Sequence, residues 1–463
     1  MISLADQLRL LPSADEVLRR PELKVMPGSG IRVQLVAWIR QAVDECRDKV
    51  RDGVVFTADE LMKRVIGRVN ELARLDAGRM SCSVINATGV VLHTNLGRAP
   101  LAERAVRRIE EAAGYVNVEM NLETGKRNAR SERVVELLCL LTGAEDAVIV
   151  NNCAAATMMT LQVMAAGREV IVSRGQLVEI GGGYRLPEVF EVSGARLREV
   201  GTTNRTYLHD YEDAINDHTG GIIRVHRSNF SLSGFVTEPS SAELADLCRR
   251  RSVPLIDDLG SGCIQDLVEF GLVEPTVSAS VSAGADVVLM SGDKLFGGPQ
   301  AGIILGRRQW ISAMRKSPLM RALRADKLIL AALEATLEVH LSQNPMEELP
   351  LLQMLTRQSS RIRSSCERVV SLVRIPENIN IGIEACESEV GGGSIPGSRL
   401  PSFAIRIAGT NPSEFSQKLR RCRPAVVGRI QDDGVLLDLR TVSDAQIPHL
   451  AEQLQSVFDG EAV

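Results

Sequence analysis

Aromatic residues are scarce in this 463-residue chain, 3% of the total, and no apolar run approaches 18 residues. The first scarcity argues against a single-strand nucleic-acid binder built on stacking platforms; the second argues against a membrane-spanning helix. The nine cysteines are odd in number, scattered, and include no C-x-x-C pair. That excludes a disulfide framework or a zinc ribbon and fits a reducing compartment. None of the six histidines shows H-x-x-x-H spacing, so no metal-ligand helix is expected. Excess positive charge is also missing, since 54 Lys and Arg against 58 Asp and Glu leave a net −4. Any nucleic-acid contact would have to come from a local patch. Met1-Ile2-Ser3-Leu4-Ala5-Asp6 reaches a charge too soon for a signal peptide, and the expectation is a cytoplasmic protein.

What is present is an ordinary globular composition, 44% hydrophobic and 24% charged, with length for two to four domains. Residues 1–80 read as helical. Leu4, Leu8 and Leu11 lie at helical spacing, Ser13 is a candidate N-cap, and Pro27-Gly28-Ser29-Gly30 is a break. Ile31, Leu35, Trp38, Ile39 and Val43 then mark one amphipathic helix, and Leu61, Val65 and Val69 mark another from Thr57 to about Arg74. This region carries a net +2 against −6 for the rest, a modest contrast that a solvated helical surface also explains. From about residue 84 short apolar runs alternate with helical stretches: 147–150, 169–172, 222–225, 254–256 and 286–290, with helices at Ser131–Leu141 and Ala154–Ala166 between them. That alternation predicts crossover units on a mostly parallel sheet. A single long helix is expected from Met320 to about Leu341, then a helix over Leu352–Val373, strands at Ser402–Ile407 and Val435–Leu439, and a last helix near Ile447–Phe458. The predicted division is a helical domain (1–63), a linker (64–90), a large α/β domain (91–345) and a small C-terminal α/β domain (346–463).

The segment 286–299 is the sharpest chemical feature. A buried strand ends at Met290-Ser291-Gly292-Asp293 and presents Lys294 beside Gly297-Gly298-Pro299. A lysine at the carboxyl end of a parallel strand can form a Schiff base with a carbonyl cofactor, although alone it could equally be a surface lysine. One strand earlier, Leu255-Ile256-Asp257-Asp258 ends in carboxylates. A carboxylate there can keep a pyridine nitrogen protonated, and Asp257, at the strand's end, is chosen over Asp258. Val150-Asn151-Asn152-Cys153-Ala154-Ala155-Ala156-Thr157 is a strand running into small residues at a helix start. Backbone N–H groups at Asn152, Cys153 and Ala154 can approach a phosphate there. Phosphate loop, then acid, then lysine on successive strands is the layout of fold-type I pyridoxal-phosphate enzymes, with an α/β fold. Asn229, after the strand ending at Val225, is a candidate for the cofactor's 3-oxygen or an ordinary turn residue.

Ile85-Asn86-Ala87-Thr88-Gly89-Val90-Val91-Leu92-His93-Thr94-Asn95-Leu96-Gly97-Arg98 resembles the opening of the catalytic domain of bacterial selenocysteine synthases, the L-seryl-tRNA(Sec) selenium transferases. Ser291–Lys294 with Gly297-Gly298-Pro299-Gln300-Ala301-Gly302, Glu199-Val200-Gly201-Thr202-Thr203-Asn204, Gly391-Gly392-Gly393-Ser394 and the leading Leu10–Leu18 are similar to the same family, so the resemblance runs nearly end to end. Cys153 departs from it, standing where a third Asn is expected in the phosphate loop. The resemblance implies pyridoxal 5′-phosphate on Lys294, seryl-tRNA(Sec) as substrate and selenophosphate as selenium donor, with Lys294 as the base at Cα. It implies that Arg98, Arg321 and Arg324 bind the anionic donor, the last two sharing a helix face. It also makes Asp293 a candidate to position the seryl hydroxyl or the lysine, and Thr202 and Thr203 candidates for substrate binding. Further implications are a tRNA-gripping N-terminal region and a homo-oligomer, at least a dimer and in the family a decamer.

Two other readings stay open on the residues. A lyase or ammonia-lyase of the same scaffold, acting on a small amino acid or amino-sugar acid, would keep Lys294 and Asp257 but would not need residues 1–80. A non-catalytic tRNA-binding scaffold would not need Lys294, Asp257 and all three arginines.

Overall fold

Capping chemistry and one apolar stripe per helix build the N-terminal unit. The computed structural model describes residues 3–23, 32–77 and 81–460, so the predicted break at Pro27–Gly30 and the helix start at Ile31 lie outside the described residues. Helices α1 (Leu4–Arg9), α2 (Ala14–Leu18), α3 (Arg32–Arg51) and α4 (Ala58–Ala77) follow in order. Ser13 and Glu16 exchange bonds in a capping box at α2, and Thr57 and Glu60 do the same before α4. Leu61, Val65 and Val69 of α4 are buried with Ile39, Val43, Cys46 and Val50 of α3. Burial of each large side chain contributes about 1.5–3 kcal/mol.

The chain divides at Val84/Ile85 into two units, the first also taking in Arg421–Ala425. The boundary expected after residue 63 therefore falls inside α4, whose apolar stripe continues past it. Nor do the predicted large and small domains separate: among the described residues, 85–420 and 426–460 form one unit.

Besides a short hairpin of Glu179–Ile180 with Tyr184–Arg185, that second unit is built on a framework of two larger sheets. Their strands, in chain order, are β1 (Val90–Leu92), β2 (Asp146–Val150), β3 (Glu169–Ser173), β4 (Arg196–Val200), β5 (Thr219–Val225), β6 (Leu255–Gly260), β7 (Val287–Ser291), β8 (Gly302–Gly306), β9 (Asn380–Gly391), β10 (Arg399–Ala408), β11 (Arg429–Gln431) and β12 (Gly434–Asp438). The seven-stranded sheet runs β2-β8-β7-β6-β5-β3-β4, parallel except for β8. The five-stranded sheet runs β11-β12-β10-β9-β1. Its β1 pairs parallel to β9, Leu92 opposite Gly391, which places the segments after both strands side by side.

Helices cover both faces of the large sheet: α5 (Glu132–Thr142), α7 (Ser241–Arg251), α8 (Val277–Ala283) and α10 (Lys327–His340) on one, α6 (Cys153–Ala165) on the other, with α9 (Leu319–Leu323) preceding α10. Strand alternation then sorts the residues of β6. Leu255 and Leu259 pack with α7 and α8, whereas Ile256 packs with α6. Asp257 thus belongs to the first face and Asp258 to the second.

The long helix expected over Met320–Leu341 is two helices. Arg324 is extended (φ −61°, ψ 141°) and Asp326 caps the next helix, its carboxylate accepting from the N–H groups of Leu328 and Ile329. Among the described residues no helix is long and apolar enough to cross a membrane.

Candidate active site

Lys294 sits where the parallel strands end, in a turn bolted to its surroundings. The Leu295 N–H donates to the Ser261 carbonyl at 2.9 Å, the Gly298 N–H to the Gly292 carbonyl at 2.8 Å, and the Gly292 N–H to the Ala301 carbonyl at 2.8 Å. A Cβ on Gly292 would lie 2.5 Å from the Pro299 oxygen, so this close turn demands glycine. The lysine is only 5% exposed. Gly393 (φ +92°) presses on it from the segment after β9: a Cβ there would come within 2.8 Å of Cε and 2.9 Å of Nζ. On the other side a Cβ at Gly260 would lie 3.8 Å from both Lys294 Nζ and Asp258 Oδ1. The amine therefore occupies a slot between two glycine segments, and the Gly391–Gly393 segment closes one wall.

The acid facing this slot is Asp258, not Asp257. Asp257 is fully buried on the opposite face of the sheet, where its carboxylate accepts from Arg224 Nη1 at 2.9 Å and from the Ser280 hydroxyl. It is consumed there as an internal counter-ion. Asp258 Oδ2 accepts from Thr157 Oγ1 at 3.1 Å, and Oδ1 lies 3.8 Å from the Cys153 thiol that donates toward it. Burial pushes the Asp258 carboxyl up to about 6, against the pull of Thr157 and Lys294. The choice of Asp257 from sequence fails because the last two strand residues point to opposite faces, and only the face carrying α6 opens on the lysine.

The segment after β2 forms as expected. Asn152 is the N-cap of α6, its side chain accepting from the Ala155 N–H at 2.9 Å. Cys153 and Ala154 follow at the helix start, with the Cys153 thiol pushed well up by burial and by Asp258. Tyr184 brings a buried phenol, also raised by burial and Asp258, to the same side. No sequence motif marks this aromatic near the acid.

Asp293 and Arg98 meet: Arg98 Nη1 donates to Asp293 Oδ2 at 2.8 Å, and the Ser291 hydroxyl to Oδ1 at 2.5 Å. Arg98 holds a left-handed backbone (φ +63°) just after Gly97. Arg324 pairs by backbone bridge with Val150 at the end of β2, and the Asn151 N–H donates to the Leu323 carbonyl at 2.8 Å. Arg324 is thereby brought to the phosphate loop. Arg321, however, belongs to α9 while Arg324 lies beyond its end, so the shared helix face expected for them does not exist; Arg321 is exposed. Three other expected residues stay outside the lysine cluster of this chain. Asn229 is exposed and donates to the Glu179 carbonyl at 2.7 Å. Thr202 and Thr203 are exposed in the turn after the edge strand β4, where the Thr202 hydroxyl donates to the Arg205 carbonyl at 3.0 Å.

Sequence reasoning missed a set of buried polar groups. Ser394 Oγ and His226 Nδ1 have no hydrogen-bond partner, and Ser261 lies against the buried Glu274 carboxyl. Ser261 and Ser394 directly flank residues that touch Lys294 or its turn. Glu274 Oε1 lies 3.7 Å from His226 Nδ1. Burial pushes His226 down to about 4 and the Glu274 carboxyl up. Buried polar groups are normally paired, and this cluster gives the lysine slot a polar lining. The only trace in the sequence is the small-residue loop Gly260-Ser261-Gly262 after Asp258.

An aldehyde carrying a ring nitrogen and a phosphate fits these residues: Lys294 for the aldehyde, Asp258 for the nitrogen and the α6 N-terminus for the phosphate. The class defined by this sheet and this site is that of the fold-type I pyridoxal-phosphate enzymes. A solved structure of D-glucosaminate-6-phosphate ammonia-lyase shares the fold, with a TM-score of 0.56 and 23% identity over 83% of this chain and 97% of that one. Residues 84–443 match the L-seryl-tRNA selenium transferase family, and the chain belongs to that family. Relatives named L-seryl-tRNA(Sec) selenium transferase extend the match to the N-terminal helices. The protein of Moorella thermoacetica is 46% identical over 98% of this chain and 97% of its own. That of Carboxydothermus hydrogenoformans is 43% identical over 99% and 100%.

Proposed function

We propose that the protein converts L-seryl-tRNA(Sec) to L-selenocysteinyl-tRNA(Sec), with selenophosphate as the selenium donor and pyridoxal 5′-phosphate held on Lys294. The observation that carries this reading is the buried Lys294 amine, slotted between Gly393 and Gly260 with Asp258 on the same face, in a chain of this family. When bound, pyridoxal phosphate supplies an electron sink for the bond broken at Cα. Lys294 takes the Cα proton, and its near-complete burial excludes water from that proton. Asp258 holds a proton on the ring nitrogen, while Asn152, Cys153 and Ala154 offer the helix N-terminus to the phosphate. Arg98, steadied by Asp293, and Arg324 at the end of β2 grip the anionic donor with planar forks, and Arg321 joins them from α9. Asp293 positions Arg98 and, through it, the leaving hydroxyl's surroundings. Thr202 and Thr203, exposed in the turn after β4, serve substrate binding, whereas Asn229 is tied to the Glu179 carbonyl rather than to the cofactor.

The helical N-terminal unit grips the tRNA through backbone and shape, which requires neither stacking aromatics nor a basic protein overall. The working molecule is a cytoplasmic homo-oligomer, at least a dimer and, by family likeness, a decamer; light scattering measures this. The chemistry is tested with wild type and Lys294→Ala. The wild type shows a visible cofactor band that the variant lacks, and turns over charged tRNA but not free serine. Turnover of free serine at comparable efficiency would favour the small-molecule lyase instead.

A further inference from the structure

Three guanidinium groups converge on one carboxylate beside the phosphate loop. Glu119 accepts from Arg127 Nη2 at 2.6 Å, from Arg130 Nη1 at 3.3 Å and from Arg324 Nη1 at 3.5 Å. Arg130 also uses its second nitrogen, Nη2, to donate to the Ala325 carbonyl at 3.0 Å. The same side chain thus grips the carboxylate and the backbone immediately after Arg324. Arg324 needs such a brace, because it stands on the short extended break between α9 and α10 and no helix fixes its stem. Arg127 is 80% exposed and largely solvated, but Arg130 and Arg324 are 24% and 35% exposed, so their orientation is worth controlling. Two half-buried guanidiniums held at one carboxylate keep a net positive charge for an incoming anion while losing the freedom to swing away.

We propose that Glu119 is a positioning residue for the anionic selenium donor, locking Arg130 and Arg324 together so that Arg324 meets the donor with its fork already oriented. This rests on the reading that Arg324 binds the donor. The test uses the cofactor-loaded enzyme and inorganic phosphate as an unreactive donor mimic, with calorimetry on wild type, Glu119→Gln, Arg324→Gln and the double variant. Arg324→Gln weakens phosphate binding at least tenfold. Glu119→Gln weakens it about fivefold, yet adds nothing in the Arg324→Gln background, since coupled neighbours are non-additive. With selenophosphate, Glu119→Gln raises KM by a similar factor and leaves kcat within about twofold. Glu119→Asp, which keeps the charge, recovers part of the loss, and with Arg130→Lys it supplies the same comparison if Glu119→Gln does not fold. Phosphate bound by Glu119→Gln as tightly as by wild type, or more tightly, overturns the proposal, because the carboxylate is then idle or competes with anions. An equal loss in both backgrounds overturns it as well. Unchanged phosphate affinity in Arg324→Gln overturns the donor-site reading itself, whatever Glu119 does.

Discussion

Replacing Asp258 by Asn separates the two adjacent strand-end carboxylates. With a carboxyl raised to about 6 by burial, against the pull of Lys294, Asp258 is mainly ionised at pH 7.5. Opposite unit charges in hydrogen-bonding range attract by about 4 kcal/mol at an effective dielectric of about 20. That corresponds to about 3 pKa units on a ring nitrogen facing Asp258, and to about a 10³-fold change in rate if the protonated ring is needed. Asp258→Asn therefore loads cofactor on Lys294 but loses about two to three decades of kcat. A cofactor analogue with a permanently charged ring nitrogen restores part of the loss. Asp257→Asn behaves differently. It leaves Arg224, only 14% exposed, short of its charge partner, which costs about 3–5 kcal/mol of stability. Its melting temperature drops, while kcat per cofactor-loaded site stays within a few-fold of wild type. The paired assays are thermal melts and single-turnover rates on charged tRNA. A folded Asp257→Asn that loses the two to three decades, beside an Asp258→Asn that keeps more than a tenth of its activity, would refute the assignment and the strand-face argument behind it.

Three further outcomes follow from the same geometry. Asp258 binds its proton more tightly folded than unfolded, so over about pH 4 to 6 the unfolded state carries fewer protons and stability falls as pH rises. Cofactor-free Asp258→Asn should accordingly gain roughly 2–3 kcal/mol over wild type between those limits and hold the gain above them, as denaturant titrations at several pH values would show. Gly393→Ala places a methyl against Lys294 at a left-handed φ, and cofactor affinity by spectral titration should fall at least tenfold; normal loading would contradict the close approach. Leu61→Ala opens a cavity between α3 and α4 and should cost about 2–5 kcal/mol, read as an early melting step with the cofactor band intact.

Much of this molecule is legible along the chain, and the failures have identifiable causes. The strand–helix rhythm, the Ser13 cap and the turn presenting Lys294 are local signals, and local chemistry builds them. Strands β1, β4, β8, β9 and β11 escape the reading. β8 is a five-residue run bounded by glycines, and β9 mixes acids and glycine along a face only partly buried. The break at Arg324 is hidden because Met320–Leu341 keeps a helical texture while Asp326 restarts the helix as a cap. Asp257 and Asp258 cannot be told apart by position, only by which face carries α6. Ser261, Ser394 and Glu274 come together through parallel pairing of β1 with β9 and the meeting of strand ends far apart in sequence, which no local pattern encodes.

The most direct test of the central claim is the fate of the aminoacyl group on charged tRNA(Sec) incubated with cofactor-loaded enzyme and selenophosphate, identified by mass spectrometry after release from the tRNA. The account predicts selenocysteine on the tRNA with wild type and unchanged serine with Lys294→Ala. Serine left intact by cofactor-loaded wild type, alongside consumption of a free amino acid, would contradict it.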